Sequence, residues 1–341
     1  MTLPAALLLI FLCAFRPAFA TQEKKFLTKK DAQGFGGQNE AARKTKSQNL
    51  EFAPEEFISP YGGYGFYSEL DLQDAQRPEV EPYKKRWLSP WGIAELKTIL
   101  ENGEKYRHYV KRRLIEEALP SCIEFIPVIE SSYKPLAKPA SGKSVGLWQF
   151  MENSIENYLV KNQWIDERRD PWKSTDAALK KLKANYKQFG DWLLAIAAYN
   201  CGAGAVKRAL KKSEQKNFWS LARDKLIPDH AIAYIPNLLA VSDITQNSFW
   251  YNVELPQAFY DAETYSPYDD FDELETTKSV SLRALALEMR VDPKILIELN
   301  PALIYEITPP NQKYRLRLPQ GTKESAAFAV FSLEQRLMDK E

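Results

Sequence analysis

Asp191-Trp-Leu-Leu-Ala-Ile-Ala-Ala-Tyr199 decides the architecture of this chain. Aspartate is a preferred N-cap, because its carboxylate accepts from the free amides of the first helical turn. The residues that follow, Trp192 to Tyr199, are apolar on nearly every side. A helix with no polar face is a buried one. The chain therefore builds a helical domain around this segment, which closes on Tyr199-Asn200-Cys201-Gly202-Ala203-Gly204.

Working outward, Gly190 stops the preceding helix, which Ser174 or Thr175 caps and whose inner face is Ala178, Leu182, Tyr186 and Phe189. Before it, Asp166-Glu-Arg-Arg-Asp170-Pro171 breaks the pattern. Glu95 to Ala118 has a helical period and ends ahead of Pro120. Ser121 caps a helix running through Phe125 towards Glu130, with Pro127 kinking or tightening it. A loop, Lys134 to Lys143, leads to a short helix expected from Leu147 to Tyr158. His230 to Ile244 adds a helix carrying Tyr234. The main domain is thus read as mainly α, over residues 83–255.

Residues 256–272 read as a linker. The next unit, 273–322, has two short amphipathic helices, from Ser281 and from Asp292, and an alternating strand at Tyr314-Arg-Leu-Arg-Leu-Pro319. This β-α-α-β arrangement is small for an independent core, so docking on the main domain is expected. Residues 323–341 form a tail or a helix. At the other end, the apolar run Leu3 to Phe15 is shorter than the roughly 20 residues of a membrane span. With Ala18-Phe-Ala20 after it, residues 1–20 read as a secretory signal, which predicts export to the periplasm or cell envelope. Residues 21–82 are polar and rich in Lys, Gln and Gly, the composition of a mostly disordered tether.

The chain has 341 residues, 45% of them hydrophobic and 27% charged, with a formal net charge of +1. That balance gives no electrostatic case for a nucleic-acid partner. His108 and His230 lie far apart without ligand spacing, so no metal and no cofactor are expected. Export permits a disulfide between Cys122 and Cys201, and the sequence leaves it open beside the preferred reading of two small buried residues. A monomer is expected; peripheral membrane association stays open.

The chemistry points to Ile126-Pro-Val-Ile-Glu130. A carboxylate at the end of an apolar run is desolvated, which raises its pKa and suits it to be a general acid. Gly146-Leu-Trp-Gln149 then supplies an indole and an amide, parts for holding a sugar ring. Most glycosidases need a second carboxylate. Glu124 is six residues back, off Glu130's helical face. Asp166, Glu167 and Asp170 sit among Arg168 and Arg169 and read as an ion-pair network.

Glu130-Ser131, Gly146-Leu-Trp-Gln149, Ala198-Tyr-Asn200 and Tyr234-Ile-Pro-Asn-Leu-Leu-Ala240, in this order, resemble the lytic transglycosylase domain of the soluble-transglycosylase (SLT) superfamily over about residues 85–250. The resemblance implies a lysozyme-like fold. It implies cleavage of the β-1,4 bond between N-acetylmuramic acid and N-acetylglucosamine in peptidoglycan strands, leaving 1,6-anhydromuramic ends. Glu130 would be acid, then base. Ser131 would support the carboxylate, and Ser141, Gly146, Trp148 and Gln149 would bind the sugar, Trp148 being open to a core reading as well. Tyr199 and Asn200 would bond near the acetamido group and the carboxyl, and Tyr234 would face the same cleft. Where the family has Ser-x-x-Gly-Ala, this chain has the longer Pro139-Ala-Ser141-Gly-Lys143-Ser-Val145, which puts the place of Ser141 in question. Through Leu282-x-x-Leu285-Ala, Leu299-Asn300-Pro301 and Leu316-Arg-Leu-Pro319, residues 273–322 resemble a divergent LysM module, a glycan-binding fold, which implies either glycan binding or a purely structural role. The competing readings are a hydrolytic muramidase and a non-catalytic peptidoglycan-binding scaffold.

Overall fold

In chain order the elements are α1 (Glu81–Trp87), α2 (Pro90–Asn102), α3 (Glu104–Glu116), α4 (Ile126–Ser131), the strands β1 (Ser144–Val145) and β2 (Phe150–Met151), α5 (Pro171–Phe189), α6 (Trp192–Cys201), α7 (Ala203–Lys212), α8 (Phe218–Arg223), α9 (Asp229–Gln246), β3 (Phe271–Thr276), α10 (Leu282–Glu288), α11 (Pro293–Leu299), β4 (Tyr314–Pro319) and α12 (Lys323–Met338). They come from a computed structural model that describes residues 74–155, 157–258 and 270–338. The signal at 1–20, the tether up to residue 73 and linker residues 259–269 lie outside the described residues. The fold is mainly α with a small α/β unit at the C-terminal end, as expected.

α6 is the buried axis. Asp191 accepts from Leu194 N at 2.8 Å, and Leu193 to Ala198 are all buried. α5, α7, α8 and α9 pack around it. Trp87 Nε1 donates to Asn237 Oδ1 at 2.8 Å, tying α1 to α9. Main-domain structure begins earlier than residue 83: a 3-10 turn spans Asp74–Gln76, and Ala75 and Val80 are buried in the core.

Several boundaries differ from the sequence expectation, each for a local reason. Glu95 to Ala118 is not one helix; the chain breaks at Gly103, where a Cβ would lie 2.7 Å from the Tyr133 ring. Ser121 caps no helix; it opens a 3-10 turn, Ser121–Phe125, and α4 starts after it. Pro127 lies in the first turn of α4, where its missing N–H costs nothing. α5 starts at Pro171 with Asp170 as its cap, accepting from Trp172 N and Lys173 N at 3.1 and 2.9 Å. Ser174 and Thr175 turn their hydroxyls back on the carbonyls of Asp170 and Pro171. The helix expected from Leu147 to Tyr158 is a hairpin instead, because Gly146 and Gln149 take φ of +90° and +48°, outside helical space. Cys122 is buried, but Cys201 is only half-buried.

The C-terminal unit has the expected β-α-α-β order, and β3 starts at Phe271, inside the stretch read as linker. β3 and β4 pair antiparallel from Phe271↔Pro319 to Thr276↔Tyr314. Residues 323–338 form a helix, α12. Leu282, Leu285, Leu296, Leu316 and Leu318 make the unit's core, and Ile165 of the main domain is buried with them. Backbone bonds and an ion pair add to this apolar contact. Asp166 N donates to Ala302 O at 2.9 Å, Ile304 N donates to Trp164 O at 3.0 Å, and Arg317 pairs with Asp170 at 2.6 Å.

Candidate active site

α4 is a single-turn helix that ends just past Glu130. Its stop is a left-handed pair, Ser132 and Tyr133, with φ of +52° and +56°. Tyr133 is anchored by its buried ring and by a hydroxyl donating to Glu124 O at 2.6 Å. Glu130 thereby follows a segment whose Ile123, Ile126 and Val128 are buried in the core.

Tyr234, from α9, donates its hydroxyl to Glu130 Oε1 at 2.7 Å. Burial pushes the Glu130 pKa up to about 7, against the opposing pull of the Tyr234 bond. The same burial, with the Glu130 charge nearby, lifts the phenols of Tyr234 and Tyr199 well above their ordinary range. Both phenols therefore stay neutral donors where Glu130 titrates.

Tyr199, at the end of α6, donates to Trp148 O at 2.7 Å and sets its ring edge-on to Phe150. The next residue, Asn200, has a buried Oδ1 with no partner among the described residues.

The hairpin turn between β1 and β2 is built from backbone carbonyls. Ser131 does not bond the Glu130 carboxylate; it donates to Leu147 O at 2.8 Å and so ties α4 to the turn. Gly146 is buried rather than groove-lining, and a Cβ there would lie 1.8 Å from Arg168 O. The Trp148 indole is fully buried, donating to Thr175 Oγ1 at 2.9 Å, and offers no stacking platform. Gln149 spends its amide on Gly146 O at 2.8 Å and Ala137 O at 3.2 Å. Ser141 is exposed in the turn Pro139–Gly142. Ser144, which sequence reasoning missed, donates to Gln149 Oε1 at 2.7 Å.

The carboxylates weighed from the sequence as partners for Glu130 are committed elsewhere. Glu124 pairs with Arg107 at 2.8 Å, Asp166 with Arg168 at 2.7 Å, Glu167 with Lys173 at 2.6 Å and Asp170 with Arg317. Among the described residues no group of three or more His, Cys, Asp or Glu is placed to hold a metal ion.

This arrangement coincides with matches to known families. Residues 110–222 match the Transglycosylase SLT domain, and residues 270–329 match the lytic transglycosylase MltD, LysM-like domain. The main domain therefore has the lysozyme-like helical fold of SLT domains. Among individual proteins, the chain is 32% identical over 228 residues to membrane-bound lytic murein transglycosylase D of Escherichia coli (strain K12), covering 64% of this chain and 49% of that relative. The protein of the same name in Escherichia coli O6:H1 matches with the same identity and coverage. The chain thus spans about half the length of the curated relatives it matches.

Proposed function

We propose that the chain is a peptidoglycan lytic transglycosylase, exported to the cell envelope, with residues 83–255 as its catalytic domain and Glu130 as its single acid and base. The observation that carries this reading is the desolvated Glu130 carboxyl, with a pKa pushed up to about 7 and a phenol at 2.7 Å. Protonated Glu130 gives its proton to the glycosidic oxygen as the bond to the muramic anomeric carbon breaks. The muramic 6-hydroxyl then closes on that carbon, and the Glu130 carboxylate takes up the hydroxyl proton. Glycan is cut, a 1,6-anhydro ring forms, no water is consumed, and Glu130 ends protonated as it began. Tyr234 steadies the carboxylate between the two transfers by donating to it. Asn200 Oδ1 offers its open acceptor to an acetamido N–H.

A hydrolytic muramidase needs a second carboxylate or a held water opposite the acid. Each carboxylate weighed for that task is engaged by a cation, which favours the intramolecular nucleophile. The test is mass spectrometry of sugars released from sacculi. Anhydro products, lighter by one water than hydrolytic ones, are expected. Reducing-end products would mean a muramidase, and sacculus binding without products would mean a scaffold. Glu130→Gln is expected to lower the rate by about 10²–10⁴-fold while binding persists; full activity would remove Glu130 from the mechanism.

A further inference from the structure

The C-terminal unit is linked to the candidate site through segment 164–170. Its loop after α11 pairs with the main-domain segment 164–166: Ile165 bridges to Leu303, Asp166 N bonds Ala302 O, and Ile165 lies in the unit's core. Asp166, held there, grips Arg168 with both oxygens, at 2.8 Å to Nε and 2.7 Å to Nη2. Arg168 Nη1 lies 3.4 Å from the carbonyls of Lys143 and Phe150, which flank the hairpin, and its own carbonyl closes over Gly146. A second strut runs in parallel. Arg317 Nη1 meets Asp170 Oδ2 at 2.6 Å, both residues buried, and the guanidinium lies 4.8 Å from the ring centroids of Trp172 and Phe271. The first strut touches the hairpin directly; the second holds the first turn of α5, where Thr175, bonded to Pro171 O, accepts from Trp148 Nε1 at 2.9 Å. The hairpin turn supplies the carbonyls of Leu147 and Trp148, which receive the hydroxyls of Ser131 and Tyr199. Those are the next residue to Glu130 and the phenol that senses its charge.

We propose that the C-terminal unit is a positioning element of the active site, and that Arg317 and Asp166 are positioning residues that set the β1–β2 hairpin against Glu130. This rests on the reading of Glu130 as the acid. It assigns the unit a task in the chemical step, whereas a glycan-capturing module would act on substrate retention alone.

The test uses the full chain and three variants, Arg317→Ala, Arg317→Lys and Asp166→Asn, each checked for a cooperative melt. Hydrogen exchange over residues 137–151 is read first, because it needs no turnover. Arg317→Ala is expected to speed exchange there by about tenfold, with α8 unchanged. On solubilised glycan strands its kcat is expected to fall by about 10–100-fold with KM and sacculus retention held. Arg317→Lys keeps the charge without the fork and restores part of both. If Arg317→Ala does not fold, Asp166→Asn is expected to give the same pattern. Unchanged exchange and kcat in a folded variant would overturn the proposal, as would a loss confined to KM and retention. A wild-type protein that cleaves nothing would refute the acid role, while the exchange data would still decide whether the hairpin depends on the unit.

Discussion

At the scale of single residues, Glu130 feels two opposed effects: burial keeps its proton on, and the Tyr234 hydroxyl draws it off. Tyr234→Phe removes only the second. The apparent pKa is expected to rise above about 7, moving the alkaline limb of the rate profile to higher pH; a limb that stays put would mean the bond does not form in solution. Stability carries the same signature. The folded pKa of about 7 exceeds the ordinary 4.5, so the native state holds more protons across that window and loses stability as pH rises through it. Glu130→Gln has no proton to lose. It should match wild type below about pH 4.5 and exceed it above pH 7, by at most about 3 kcal/mol, in melts at the two extremes. Glu130 was legible as a desolvated carboxyl because it follows an apolar run; Tyr234 was not legible from pattern, and its place in the same cleft came from the resemblance alone. Trp148 was not, since an indole serves a core and a sugar equally well on paper. Ser144 was hidden by a loop whose extra residue no periodicity can allocate.

At the scale of elements, the capping aspartates explain what could be read and what could not. Asp191 precedes an unbroken apolar run and was legible as a cap. Asp170 precedes Pro171, which looks like a breaker until it is placed in the first turn, where proline is favoured. The two differ in what they hold. Asp191→Ala is expected to cost about 1 kcal/mol in chemical denaturation, the worth of a lost cap. Asp170→Asn keeps the cap but strands the buried Arg317 charge, and is expected to cost about 3 kcal/mol or more. Equal costs would mean that water reaches the pair. The hairpin was illegible for a different reason: the run from Leu147 onward suits a helix, and only the left-handed angles at Gly146 and Gln149 forbid it.

At the scale of the whole molecule, the order of the small unit's helices and its second strand followed from pattern, and its docking from its size. The sharing of Ile165 did not, because a single isoleucine in a polar turn carries no mark of which core it enters. Because both units are stitched through segment 164–170, they are expected to unfold together. One transition should appear by tryptophan fluorescence and by far-ultraviolet circular dichroism, and two separated midpoints would contradict the coupling. The small unit is therefore no cassette. Grafted onto another scaffold, residues 270–338 would arrive with a hole shaped like one isoleucine and an arginine with nothing to hold, and their recipient would have to supply both.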